Sequence, residues 1–345
     1  MGSVVKGLPF PQISDAPRRP PALSVPKPVP PVIAIALDVL PVFLLILIGY
    51  LLVRFRVMKP EVGDGLSDFV FTIAMPMLLF KTVAVAHVEG GSPWTIWVAY
   101  FAGVAVTWTA GHLAVTRLFG RDARIGVLAG VSSAFANNLF IGLPLVQRIV
   151  GDDGVVALSI LLCAHLPVMM IAGTVLMEQA ERRTGGRPAQ SLTAVLKQVG
   201  RNLVRNPLVV GLVLGSLWRT SGLPLTGVVG TVVNDIGDIA GSAALISLGM
   251  ALMKYGVSDG IRPALVTSVF KLFLLPASVY TASRLLGLGA TWTAALVLTS
   301  SVPTGVNAWL IANRFGVGHG LASSSITITT AVGVVTTTFW AWLLG

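Results

Sequence analysis

The sequence is poor in charge and nearly devoid of cysteine. Only 11% of its 345 residues are charged, against about 25% in soluble domains. The single cysteine, Cys163, excludes an intramolecular disulfide. The chain contains no His-Glu-x-x-His pair, no glycine-rich phosphate loop and no cysteine cluster. We therefore expect no enzyme activity, no metal site and no cofactor.

Long apolar runs are what the chain does contain. Hydrophobic residues make up 54% of it, and the mean hydropathy is +0.83. The runs are about 20 residues long and do not alternate, which predicts membrane-spanning helices rather than barrel strands of about 10 alternating residues. The net charge is +10, but the basic residues cluster in loops, where they orient a membrane protein. The sequence thus predicts an all-α protein of the lipid bilayer with no nucleic-acid partner.

Ten apolar runs can be counted, each long enough or nearly long enough to cross a bilayer. They lie at about 32–53, 66–86, 95–118, 125–150, 155–177, 206–218, 234–253, 261–285, 290–313 and 321–344.

The runs define a transporter domain over residues 32–345. It divides into one five-helix repeat at 32–177, a basic linker at 178–205 and a second repeat at 206–345. Residues 1–31 stand apart because they hold nine of the 21 prolines, which predicts a disordered tail.

Two of the runs are interrupted by residues that disfavour a continuous helix. One break covers Asn137 to Pro144 in the fourth run, and the other covers Pro303 to Asn307 in the ninth. Lipid offers no partner to the backbone groups that a break frees, so a break is expected only where it lines a cavity inside the protein. Each break falls in the fourth crossing of its half, and an odd number of crossings inverts the second half. We predict a 5+5 inverted repeat whose fourth helices are broken and cross each other.

Basic residues in the loops predict the orientation. Loops after odd-numbered crossings carry fifteen Lys and Arg residues, against four on the other face. Because cytoplasmic loops are enriched in these residues, we expect a cell (inner) membrane protein with a cytoplasmic linker and external termini.

Short motifs follow one another in a fixed order over residues 34–344. They are Met75-Pro76-Met77-Leu78-Leu79-Phe80, Asn137-Asn138-Leu139-Phe140-Ile141-Gly142-Leu143-Pro144-Leu145, Arg205-Asn206-Pro207-Leu208, Ser247-Leu248-Gly249-Met250-Ala251-Leu252, Lys271-Leu272-Phe273-Leu274-Leu275-Pro276 and Val302-Pro303-Thr304-Gly305-Val306-Asn307. This ordered set resembles the auxin efflux carrier family, in its prokaryotic branch because the central loop is short. The resemblance implies a ten-helix inverted-repeat fold shared with bile-acid symporters and NhaA-like transporters, with a helix crossover at the two breaks.

The breaks suggest an anion site. The second half of each broken helix begins with free N–H groups and a positive dipole end, and inversion brings the two ends together. The expected substrate-binding residues are Asn137, Asn138, Asn307, Thr304 and Lys271. Gly142, Pro144, Pro303 and Gly305 are expected to shape the crossover. The asparagines have an alternative role, which is only to satisfy unwound backbone.

Lys271 is a cation in the middle of the eighth run, and a charge inside a membrane is a functional hypothesis by default. Asp238 or Asp235 is the expected partner in a charge pair. The alternative is a buried anchor that binds a carboxylate or backbone carbonyls.

The leading hypothesis is a secondary carrier that exports or exchanges a small organic anion, a carboxylate, by alternating access. A sodium- or proton-coupled importer of bile-acid symporter type is the first alternative. A membrane sensor without net transport is the second. Whether the chain forms a homodimer stays open.

Overall fold

The computed structural model describes residues 31–85, 92–183, 204–257 and 261–345, together with residues 2, 197, 200 and 201. Within these ranges the backbone is helical, apart from connections and one isolated bridge between Ala136 and Thr304. The predicted tail at 1–31 lies almost wholly outside the described residues, as does most of the predicted linker at 178–205.

The helices bounded within these ranges are α1 (Pro31–Arg54), α2 (Pro60–Phe69), α3 (Met75–Val85), α4 (Pro93–Leu113), α5 (Ala123–Ala134), α6 (Leu143–Ile149), α7 (Asp152–Arg183), α8 (Pro207–Ser221), α9 (Gly227–Ala251), α10 (Ile261–Val269), α11 (Leu275–Leu285), α12 (Ala290–Ser301), α13 (Asn307–Phe315) and α14 (His319–Leu344). Four π-helical turns accompany them, at Val70–Ala74, Ala114–Leu118, Asn138–Gly142 and Phe270–Leu274.

Seven helices among the described residues are long and apolar enough to cross a bilayer. They are Val32–Arg54, Pro60–Val85, Pro93–Leu118, Asp152–Arg182, Gly227–Lys254, Ile261–Leu285 and His319–Leu344. Large apolar side chains such as Leu44, Leu217 and Val335 remain exposed on the bundle. Exposed apolar surface of this extent fits contact with lipid, so the chain is an integral membrane protein.

Three of the π-helical turns are explained by proline. Pro76, Pro144 and Pro276 each follow a π turn by two residues. Proline has no N–H, and its ring clashes with the carbonyl four residues earlier, so the helix widens there. Pro276 leaves the Leu272 carbonyl without its helical donor, and the Trp340 indole of α14 donates to that oxygen at 2.8 Å. The turn is therefore held by a neighbouring helix.

Several helices begin at a capping residue that the sequence provides. The Asp122 carboxylate accepts hydrogen bonds from the backbone N–H of Arg124 and Ile125 at the start of α5. The Asn206 side chain accepts from the backbone of Leu208 at the start of α8. These caps satisfy the first orphan donors and fix where each helix starts.

The helices pack as two groups. The α9 group consists of α1, α2, α3, α8 and α9, and the crossover group consists of α4–α7 and α10–α14. Contacts between the two groups include those of α1 with α14 and α6, of α3 with α7, and of α9 with α6 and the π turn at Asn138–Gly142.

Glycines bring α1 and α9 into very close contact within the α9 group. A Cβ placed on Gly249 would lie 2.0 Å from the Ile46 carbonyl oxygen, and one on Gly49 would lie 2.1 Å from the Ile246 carbonyl oxygen. Small residues let membrane helices approach until their backbones touch, so this crossing requires glycine on both helices.

We expect Gly249→Ala to destabilise the protein by about 1–3 kcal/mol, because the added methyl overlaps backbone that cannot move aside. Thermal unfolding in detergent, followed by tryptophan fluorescence, measures the loss. Gly65→Ala is the control, since Gly65 lies in α2 with open space around its missing Cβ. That variant should be neutral or slightly stabilised. Equal melting temperatures for the two variants would contradict the close crossing.

Candidate functional site

The two helix breaks contact each other through their backbones. The first segment leaves the helix after Ala134, and the second leaves it after Ser301. The Asn137 N–H donates to the Pro303 carbonyl at 3.0 Å, and the Gly305 N–H donates to the Phe135 carbonyl at 2.7 Å. These bonds form an antiparallel bridge that satisfies backbone groups which neither helix can satisfy alone.

Thr304 connects this bridge to α5 and α14 by hydrogen bonds. Its hydroxyl donates to the Ser132 carbonyl at the end of α5, at 2.8 Å. Its backbone N–H donates to the Thr329 hydroxyl of α14 at 3.0 Å. Thr304 is buried, and both its hydroxyl and its backbone N–H donate to protein partners. It therefore holds the two breaks together, and neither of these donors is left to meet a substrate in this conformation.

Asn138 is held in the same way. Its amide nitrogen donates to the Tyr100 hydroxyl of α4 at 3.1 Å, and its amide oxygen accepts from the Thr299 hydroxyl of α12 at 3.1 Å. Asn138 is 2% exposed and Tyr100 is fully buried. Both ends of the amide are thus occupied, which makes Asn138 a link between three segments.

Asn137 has spare hydrogen-bonding capacity. Its amide oxygen accepts from the backbone N–H of Phe140 at 3.3 Å and so caps the second half of the broken segment. Its amide nitrogen has no hydrogen-bond partner among the described residues. Asn307 is half-buried in the first turn of α13. Of the predicted substrate contacts, these two have a side-chain donor with no hydrogen-bond partner in the described part of the chain.

Lys271 binds the second break. It lies in the π turn between α10 and α11, is fully buried, and donates to the carbonyls of Ser300 and Val302 at 2.6 and 2.5 Å. These carbonyls stand at the C-terminal end of α12, where the helix dipole is negative and the acceptors lack helical partners. The sequence left open whether Lys271 is a buried anchor that binds backbone carbonyls, and this is the arrangement that the structure shows.

The predicted charge pair between Lys271 and Asp238 is not formed. Asp238 pairs with Lys81 of α3 instead. The middle of α9 faces α3, whereas Lys271 binds the carbonyls of the second break, so the two residues belong to different helix groups. A sequence places both charges on apolar runs but does not say which helices pack together.

Lys81 and Asp238 line a polar cavity of about 390 Å³. The cavity lies where α3 and α6 end and α7 begins, against the middle of α9. Pro144, Gln147 and Arg148 of α6 form one wall, and the opposite wall is built by α1, α3 and α9. Its volume falls within the usual range for small-molecule sites.

The glycines and prolines of the two breaks are closely packed. A Cβ on Gly142 would lie 2.4 Å from the Thr299 hydroxyl, and one on Gly305 would lie 3.3 Å from the carbonyls of Phe135 and Ala136. Pro144 packs against Gly241 of α9 at the cavity wall, and Pro303 packs against Gly333 of α14. The glycines permit the close approach of the two breaks, while the prolines face neighbouring helices.

Three residues of this site were not singled out from the sequence. Each supplies a hydroxyl that binds one of the two breaks: Tyr100 from α4, Thr299 from α12 and Thr329 from α14. Their types are common in membrane helices, and nothing in the local sequence marks them. His165 also packs here, with its ring edge-on to those of Phe135 and Tyr100.

A family profile described as "Membrane transport protein" matches residues 34–341, nearly the whole chain. The chain belongs to this family. Its resemblance to auxin efflux carriers is confirmed, because carriers of that name are among its relatives.

Three relatives align along most of their length. An "Uncharacterized transporter" of Methanocaldococcus jannaschii is 23% identical over 89% of this chain and 97% of its own. A "Putative malonate transporter" of Rhizobium meliloti is 26% identical over 89% of this chain and 94% of its own. "Auxin efflux carrier component 8" of Arabidopsis thaliana is 23% identical over 88% of this chain and 95% of its own.

We expect the two neighbouring asparagines to differ when replaced by alanine. Asn138→Ala leaves the buried Tyr100 and Thr299 hydroxyls without their partner, at a cost of about 1–3 kcal/mol for each unsatisfied group. Asn137→Ala removes only a helix cap, at a cost of about 1 kcal/mol. Melting temperatures of the two purified variants provide the measurement. An Asn138→Ala protein as stable as the wild type would rule out the linking role.

Proposed function

We propose that this membrane transport protein is a secondary carrier for small organic anions, carboxylates in particular, and that it works by alternating access. The observation that carries the proposal is the backbone contact between the two helix breaks beside a polar cavity. Transporters place their substrate sites at broken helices near the interface of two repeats. The cavity wall formed by α6 belongs to the second half of the first broken segment, which links the cavity to the crossover.

The proposed architecture has ten membrane crossings. It counts the seven membrane-length helices, the shorter α8, and two interrupted crossings formed by α5 with α6 and by α12 with α13. In this arrangement the breaks lie in the fourth crossing of two inverted halves. The linker around residues 178–205 is proposed to be cytoplasmic and both termini external, which makes the polar cavity open outward.

A small carboxylate is the proposed substrate class. The name of the Rhizobium meliloti relative refers to malonate, a small dicarboxylate. The amide nitrogen of Asn137 is a donor without a protein partner, and amide donors suit carboxylate oxygens. The polar cavity beside the two breaks is lined by Lys81 and Arg148, two cations that attract an anion from the membrane surface.

Transport without sodium coupling is favoured by Lys271. Backbone carbonyls freed at a helix break are the oxygen ligands that a coupling cation takes in broken-helix carriers. Here the Lys271 Nζ already binds two of them. A cation fixed to the protein leaves little place for a mobile one, so we favour an exporter or exchanger over the sodium-coupled importer.

Purified protein in proteoliposomes should take up radiolabelled malonate faster than empty liposomes. Asn137→Ala should slow that uptake about tenfold or more, because it removes the free amide donor that we assign to the substrate. Uptake by the wild type equal to that of empty liposomes, for malonate and succinate alike, would contradict the carrier and favour the sensor.

Replacing sodium with choline on both sides of the membrane should leave malonate uptake unchanged. The physical reason is that the Lys271 Nζ occupies the carbonyls that sodium would need. A fall of more than about tenfold in the absence of sodium would instead support the coupled importer. A pH series at constant choline then tests for proton coupling.

The proposed orientation is tested by single-cysteine labelling in a Cys163→Ala background. Arg121→Cys precedes α5 on the face proposed to be cytoplasmic, and Ser221→Cys ends α8 on the face proposed to be external. A membrane-impermeant maleimide applied to intact cells should label position 221 and spare position 121. The reverse pattern would invert the topology.

A further inference from the structure

The ion pair between Lys81 and Asp238 is unequal in its exposure to water. The Lys81 side chain is 19% exposed, whereas the Asp238 side chain is 68% exposed. Both line the polar cavity. The cation is thus set into the cavity wall, and its carboxylate partner is the more exposed of the two.

Packing against α9 fixes the position of Lys81. A Cβ on Gly237 would lie 3.1 and 3.2 Å from the Cε and Cδ atoms of Lys81, so the aliphatic stem of the lysine crosses α9 over this glycine. A stem laid along apolar surface with its charged end in water is the usual arrangement of a partly buried lysine. The ammonium therefore stays in the cavity wall whether or not Asp238 is bound to it.

The opposite wall of the cavity also carries a carboxylate and a cation. The Gln147 amide donates to the Asp152 carboxylate at 2.8 Å, while Arg148 is exposed at the rim. Among the described residues Arg148 has no carboxylate within ion-pair distance. A cation without a partner at the rim and a cation with an exchangeable partner in the wall both face the same cavity.

We propose that Lys81 recognises the carboxylate of the substrate and that Asp238 is its resident anion, displaced when the substrate binds. This inference rests on the proposed function, since it names a recognition residue of the same cavity. An ion pair with a water-exposed partner contributes little stability, so exchanging one carboxylate for another on Lys81 costs little. The exchange also keeps the lysine paired at every stage, which disfavours uncharged molecules in the cavity.

The competing explanation is a strut, that is, an ion pair whose only role is to join α3 to α9. The two explanations predict opposite effects of removing Asp238 on substrate binding. If the pair is a strut, removing either residue weakens the same contact, and both variants lose binding and stability together. If Asp238 competes with the substrate for Lys81, removing the lysine weakens anion binding and removing the aspartate strengthens it.

The test measures equilibrium binding of radiolabelled malonate to the full-length protein in nanodiscs. Lys81→Gln should weaken binding about tenfold, the value of one charge-assisted hydrogen bond. Asp238→Asn should tighten it by about threefold to tenfold. In the double variant, Asp238→Asn should give no gain, because the cation for which it competes is gone.

Two controls separate the local contact from general effects of charge. Lys254, in the 3₁₀ turn that follows α9, pairs with Asp64 of α2, and neither residue lines the polar cavity. Lys254→Gln therefore removes a comparable ion pair away from the cavity and should leave malonate affinity unchanged. Asp235→Asn removes the same charge three residues before Asp238, outside the cavity lining, and should not reproduce the gain.

Each outcome has one meaning. Weaker binding in both single cavity variants would overturn the exchange and support the strut. So would unchanged binding in Lys81→Gln, or a gain that persists in the double variant. Wild-type protein that binds neither malonate nor succinate would overturn the proposed function, and this inference with it. Wild-type binding with an unaffected Lys81→Gln overturns the inference alone.

Discussion

The backbone bonds from Asn137 to Pro303 and from Gly305 to Phe135 are the contacts on which the rest of the site depends. In a bilayer an unpaired N–H or carbonyl costs several kcal/mol, so a helix can break there only if another segment supplies its partners. Each of the two breaks supplies partners to the other. Neither interruption would be stable alone, and this mutual requirement places both near one point of the bundle.

Side-chain hydrogen bonds satisfy further polar groups around the bridge. Lys271 takes the carbonyls at the end of α12, and Asn138 is held between Tyr100 and Thr299. Most of the polar groups expected to meet a substrate are thus used inside the protein. Recognition is left to the few donors that are not, Asn137 among them, and to the cavity beside the crossover.

The cavity lies between the two helix groups. A carrier must bind its substrate at such an interface if binding is to change the relative position of the groups. One wall belongs to the second half of a broken segment, and the other to the α9 group with Lys81 and Asp238. Under the proposed mechanism, a carboxylate bound between these walls contacts both groups at once. The binding energy can then favour one relative position of the groups over another, which alternating access requires.

The sequence by itself determined the membrane environment, the family and, to within a few residues, where both breaks lie. These follow from hydropathy and from local backbone chemistry, since asparagine, glycine and proline clustered within one apolar run disfavour a continuous helix. Only the tertiary structure decided that Lys271 binds carbonyls, that Asp238 pairs with Lys81, and that Asn138 is engaged by Tyr100 and Thr299. The reason is that a side chain finds its partner across helix contacts. A contact such as that of Gly49 and Gly249 is set by the packing of whole helices, and residue spacing along one helix does not reveal it.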